Sequence, residues 1–167
     1  MEVGNYMEKI DQDGLILCDL QAKTFEMSID YTMESSGIFI RRFMNSHVSK
    51  MVDNKSLLDT NLQPYDILEM IEEEYQGSNY GSKKYTKNEM YWIGYIYRYF
   101  SYTYDFTSRK VYKIVKPKEL QELFLPYHTL DPSQAIERIL EAKGMLLNEE
   151  EELQRQYEIF KKIRENK

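Results

Sequence analysis

The sequence predicts an all-α, or mainly α, compact helical domain around a central aromatic helix at 87–106, with room for one short strand. Three observations carry that prediction. Apolar residues recur at helical spacing in nearly every segment. Helix-start signals precede several of those segments, with a capping-box pattern at Thr86 and Glu89 and prolines at first-turn positions at Pro64 and Pro132. The 167 residues include only 7 Gly and 4 Pro, which leaves little room for long structureless loops. A chain of this length fits a single helical domain, 1–167, and the Gly/Ser/Asn loop 76–82 is where it would subdivide.

From the N-terminus, LILCDL (15–20) either opens a helix or makes an isolated strand. Phe25, Ile29 and Met33 then mark one helical face. Ser35 or Ser36 caps the next helix, with Phe39, Phe43 and Met44 inward, and Val48, Met51 and Val52 extend that face if the helix survives Asn45 and Ser46. Pro64 opens a helix lined by Ile67, Leu68, Ile71 and Tyr75, and Gly77 stops it. The aromatic helix begins at Thr86. Beyond it, Thr107 or Ser108 caps a short helix ending before Pro117, although the β-branched VYKIV leaves a strand open. A helix from Pro117 is expected to stop near Pro126. Another is capped by Asp131, with Gly144 past its end. The last segment starts acidic and ends basic, matching the helix dipole. Its stripe of Leu153, Tyr157, Phe160 and Ile163 is expected to pack on the body or, as the second choice, on another subunit.

Residues 91–106, YWIGYIYRYFSYTYDF, place nine aromatic rings in sixteen positions. Projected at about 100° per residue, Gly94, Arg98, Ser101 and Asp105 share one narrow polar arc. Trp92, Ile93, Ile96 and Phe100 occupy the centre of the apolar arc, with tyrosines on both margins. Such a helix belongs in the middle of a helical domain, its core rings inward and its marginal tyrosines candidates for a binding face.

The net charge of −6 conceals an asymmetry. Residues 1–80 carry 6 Lys/Arg against 15 Asp/Glu, residues 81–118 carry 9 against 2, and residues 119–167 carry 7 against 11. The basic central block either attracts an acidic partner or is neutralised within the fold. One cysteine, Cys18, cannot pair internally and reads as a small buried apolar residue, which favours a reducing compartment. The acidic N-terminus lacks secretion-signal character, and no apolar run approaches the ~18 residues of a membrane span. The expectation is a soluble, cytoplasmic protein that does not act at a membrane.

No catalytic signature accompanies these features. His47 and His128 sit in no metal-ligand pattern, and HExxH, CxxC and phosphate-binding Gly-rich loops are absent from the sequence. The expectation is therefore no catalytic residue, no metal and no cofactor, with His128 bonded locally beside the cap Asp131. One segment, 91–116, has the layout of a helix-turn-helix, a helix followed by a tight turn and a second short helix. There Ser108, Arg109, Lys110 and Lys113 would contact DNA. The length of the first helix, the turn without Gly and the acidic chain depart from that motif.

Four stretches, SSGIFIRRFMNS (35–46), PYDILEMIEEEY (64–75), MYWIGYIYRYFSYTYDFTSRKVYKIVKPKEL (90–120) and LPYHTLDPSQAIERILE (125–141), carry a resemblance. They are similar to a family of small, uncharacterised bacterial antitoxin-like proteins from toxin–antitoxin-type cassettes, near ADP-ribosyltransferase-fold toxins. The resemblance carries no active-site residue over. It implies a non-catalytic protein-binding regulator that neutralises a partner protein, a toxin, by direct contact. Joined to the residue reading, it points to Tyr91, Tyr95, Tyr102, Arg98, Arg109 and Lys113 as the partner-binding set, with a DNA-binding transcriptional regulator as the alternative.

Overall fold

Hydroxyls and carboxylates set the helix starts. Asp11, Ser35, Ser46, Thr86, Thr107 and Asp131 each accept a hydrogen bond from a first-turn backbone N–H. Such caps satisfy donors that a helix leaves unpaired. The computed structural model describes residues 9–76, 80–145 and 149–165. Among these the chain is all-α: α1 (Gln12–Tyr31), α2 (Ser36–Met44), α3 (His47–Asp53), α4 (Pro64–Tyr75), α5 (Lys87–Tyr104), α6 (Ser108–Ile114), α7 (Pro117–Tyr127), α8 (Pro132–Ala142) and α9 (Glu149–Glu165), with a 3-10 turn at Ser56–Asp59. No strand forms among them, because 15–20 continues into α1 and 107–116 is committed to α6 by its Thr107 cap.

The central layer is the antiparallel pair α1 and α5, the most extensive helix contact in the fold. Two glycines let the backbones approach. A Cβ on Gly94 would lie 2.9 Å from the Phe25 ring and 3.0 Å from the Ala22 Cα, and one on Gly14 would lie 2.7 Å from the Tyr102 ring. Phe25, Phe39 and Phe43 meet edge-on beside this seam, with centroids 5.5 Å and 5.0 Å from Phe25. Ile93, Ile96, Tyr97 and Phe100 are fully buried, so α5 is the central helix that its aromatic content predicts. α6, α7 and α8 close its remaining sides, and α2, α3 and α4 complete the core.

Several local expectations need correction. α1 ends at Tyr31, so Met33 leaves the Phe25–Ile29 face and stands 71% exposed. Ser46 starts a new helix, yet the break still delivers Val48 and Val52 to the core. α7, by contrast, ends at Tyr127, next to Pro126 as expected; in a last turn the proline ring removes only one intrahelical bond. The Gly77 stop lies outside the described residues. Further along, Tyr80–Tyr85 is pinned to the start of α2 by Ser35 N–H to the Tyr80 carbonyl and Tyr85 N–H to the Ser36 hydroxyl. The α9 stripe does not pack on the body: Leu153, Tyr157, Phe160 and Ile163 are 64%, 61%, 63% and 53% exposed.

Candidate partner-binding groove

Tyr91, Tyr95 and Tyr99 recur every four residues, so they line one edge of α5. Their rings stack in sequence with centroids 6.3 Å apart and planes tilted by 25° at each step. All three are half-buried. The Tyr91 hydroxyl donates to Asp19 Oδ1 of α1 at 2.8 Å. Burial first, and the Asp19 carboxylate second, push the Tyr91 phenol up to about 12. Burial also raises Tyr95 and Tyr99, with Asp131 adding to the shift of both.

The C-terminal end of α7 faces the start of this ladder. Trp92 meets the Phe124 ring edge-on at 6.0 Å, and His128 stacks on Phe124 at 4.4 Å with planes 12° apart. His128 Nδ1 lies 2.8 Å from the Phe124 carbonyl and 3.2 Å from that of Leu125. Carbonyls only accept, so Nδ1 carries the proton and Nε2 is the ring's open nitrogen. The local bonding expected for His128 is therefore what the structure contains. Between these elements runs a groove of about 690 Å³, lined by Glu26, Asn88, Tyr91, Trp92, Tyr95, Phe124, Leu125 and His128. Leu125 projects at its rim, 78% exposed. Glu26 makes no ion pair or hydrogen bond among the described residues, whereas Asp19 and Asp30 nearby are held by Lys23 and Lys87 at 2.8 Å and 3.0 Å. The groove thus combines apolar rings with one uncommitted carboxylate.

The structure divides the residues that the sequence groups together. Tyr91 and Tyr95 belong to this groove. Tyr102 lies elsewhere, donating to Asp11 Oδ1 at 2.6 Å with the Lys55 ammonium 4.8 Å from its ring centre. It lines a separate polar cleft of about 280 Å³, where Lys9, Lys55 and Arg98 face Asp11, Asp53 and Asp105. The formal charges of that cleft cancel, so it offers no net charge to draw in a charged ligand.

Arg98 must be removed from the exposed set, for it is 1% exposed and each of its nitrogens is engaged. Nε donates to Gln21 at 2.8 Å, Nη1 to Asp53 at 2.7 Å and Ser101 at 3.1 Å, and Nη2 to Ser108 at 2.6 Å. A guanidinium with this many partners is satisfied inside the fold and joins α1, α3, α5 and α6. Ser108 is equally removed from a DNA-facing role. It is fully buried, and both its hydroxyl and its backbone N–H donate to Asp53, at 2.6 Å and 3.0 Å. The tight turn before α6 needs no glycine because Asp105 takes the left-handed conformation, with φ 55°. Arg109 donates to Asn45 at 3.2 Å, and the Lys110 ammonium lies over the Phe106 ring at 3.7 Å. Lys113 is exposed. None of these three lines the groove.

The basic block is partly neutralised within the fold. Besides Arg98, Lys87 pairs with Asp30, while Lys84 is tethered to the neutral Thr32 carbonyl at 2.7 Å without its charge being cancelled. Lys83, Arg109, Lys113 and Lys118 keep their charge at the surface. Sequence reasoning missed Glu26, Phe124 and Leu125 and treated Trp92 as core alone. One signal pointed to Leu125: it falls off the i, i+3, i+4, i+7 face set by Leu120, Leu123, Phe124 and Tyr127, so a buried role was never available to it. No family model, curated protein or solved structure matches this chain. No helix among the described residues is long and apolar enough to cross a membrane.

Proposed function

We propose that the chain is a non-catalytic, antitoxin-like regulator that neutralises a partner protein by direct contact, and that the α5–α7 groove receives that partner. The observation that carries the proposal is the groove itself. An aromatic ladder is held half-open beside Trp92 and an exposed Leu125, with a carboxylate, Glu26, that no described neighbour pairs with. Tyr and Trp surfaces of this kind give large contact area for little loss of side-chain freedom, and both residues are enriched among the hot spots of protein interfaces. The complementary segment would insert an apolar side chain between Tyr95 and Phe124 and direct a Lys or Arg toward Glu26 and the ring faces.

The test is co-expression with the product of the adjacent gene. The proposal expects rescue of growth and co-purification, both lost in Leu125→Asp and Glu26→Lys while the helical spectrum is unchanged. Absence of rescue and of co-purification with the unmodified chain removes the proposal. Salt-sensitive binding to its own promoter fragment, weakened by Arg109→Ala and Lys113→Ala, would favour the DNA-binding alternative instead.

A further inference from the structure

α9 presents an apolar face that nothing among the described residues covers. Leu153, Tyr157, Ile159, Phe160 and Ile163 are between 45% and 64% exposed. Projected at about 100° per residue, the five fall within one arc slightly narrower than half the circumference, and the rest of the helix is almost wholly charged or amide. Scattered exposed apolar residues are ordinary, but a continuous stripe along one helix marks a surface that is buried by something.

The charge pattern says by what. The sequence of the helix opens on four glutamates, 149–152, and closes on Lys161, Lys162 and Arg164. A helix with this polarity carries its own electrostatic complement in reverse. Two copies side by side in the same direction would set acidic end against acidic end, and cations against cations. Two copies in opposite directions set each acidic end against a basic end and also oppose the helix dipoles. Matching the apolar side chains fixes the register. With Leu153 level with Phe160 of the second copy, the two-fold axis passes between Gln156 and Tyr157, and the glutamate run 149–152 falls level with 161–164 of the second copy, which holds Lys161, Lys162 and Arg164. The arrangement is isologous and closed, as a two-fold dimer requires.

We infer that α9 is a homodimerisation helix that pairs antiparallel with α9 of a second copy. The groove between α5 and α7 has no part in this pairing, so the two surfaces stand or fall separately. Sedimentation of the full chain over a range of concentrations is expected to show a monomer–dimer equilibrium, with the dimer abolished by Phe160→Glu. Reversing one end, as Lys161→Glu with Lys162→Glu and Arg164→Glu, weakens the dimer on the order of tenfold or more, and so does Glu150→Lys with Glu151→Lys. Mixing the two reversed chains restores association as a heterodimer. Orientation is read by oxidation of single cysteine variants, the native Cys18 being buried. Gln156→Cys lies beside the axis and is expected to cross-link to itself. Glu150→Cys is separated from its own copy by about 20 Å along the helix axis at ~1.5 Å per residue, beyond disulfide reach, and cross-links only to Arg164→Cys. A monomer at every concentration overturns the inference. So does self-cross-linking of Glu150→Cys, which would mean parallel helices, or a dimer indifferent to Phe160→Glu and to both reversals.

Discussion

α5 and α9 are helices of similar length, 18 and 17 residues, and each carries an aromatic stripe, yet they place their polar and apolar groups in opposite ways. In α5 the tidy polar arc of Gly94, Arg98 and Ser101 is buried along with the apolar core, while tyrosines on its margin are only half-buried. In α9 the described charged side chains face solvent and so do the rings. The difference shows that polarity by itself does not decide which side of a helix is inside. Gly94 allows α1 to approach, Gln21 donates to the Gly94 carbonyl at 3.0 Å, and Asp53 neutralises Arg98, so the polar arc becomes the seam. α9 has no such receiver among the described residues. A buried ion pair with all its hydrogen bonds made is tolerated, but it becomes costly when one partner is lost.

The contrast predicts very unequal mutational effects. The largest belongs to Arg98→Ala, which leaves Asp53 without its counter-charge and breaks the link among four helices. Chemical denaturation should register a loss of about 3–5 kcal/mol. A loss below about 1 kcal/mol, the scale of an exposed pair, would mean that the network does not hold the seam. Next is Gly94→Ala. Its methyl would press on the Ala22 Cα and the Gln21 carbonyl, both at 3.0 Å. The substitution should cost about 1–3 kcal/mol, in spite of alanine's better helix propensity. A stabilised variant would show that α1 can retreat freely.

Alkaline pH probes the same buried side of α5. Burial raises Tyr97 well above its ordinary value of 10.0 and Tyr104 to about 12. Each raised tyrosine contributes stability that is fully present below pH 10.0 and is lost as pH rises through the folded value, about 12 for Tyr104. Melting temperature should therefore be insensitive to these groups up to about pH 9 and decline across that alkaline window. A decline confined to lower pH would have another origin. The smallest effect is expected on α9. Phe160→Ser, measured at concentrations where the chain is monomeric, should change stability by no more than about 0.5 kcal/mol. A loss comparable to that of Arg98→Ala would mean that the ring is buried after all.

Much of this fold is legible from short-range chemistry. Thr86 with Glu89, Pro64, Asp131 with Pro132, and the Ile67–Leu68–Ile71 face all act within one or two helical turns, so the sequence pattern contains the whole cause. The features that escape sequence reasoning depend on distant partners. Arg98 reads as a surface residue because nothing near it in sequence neutralises it; its carboxylate, Asp53, comes from α3, and its amide, Gln21, from α1. Ser108 leaves the DNA-facing set for the same reason. Tyr102 parts from Tyr91 and Tyr95 because Asp11 and Lys55 hold it in another cleft. One wall of the groove, Phe124, Leu125 and His128, is supplied by the end of α7, whose approach to Trp92 no periodicity could reveal.

The central claim, that the α5–α7 groove receives a protein partner, is tested most directly by site-specific photocross-linking in cells that also express the adjacent gene product. A photoreactive residue at Leu125, on the rim, is compared with one at Lys113 on α6. The account predicts a cross-link to the partner from Leu125 and none from Lys113. A cross-link from Lys113 alone would place the interface on the basic block and contradict the groove.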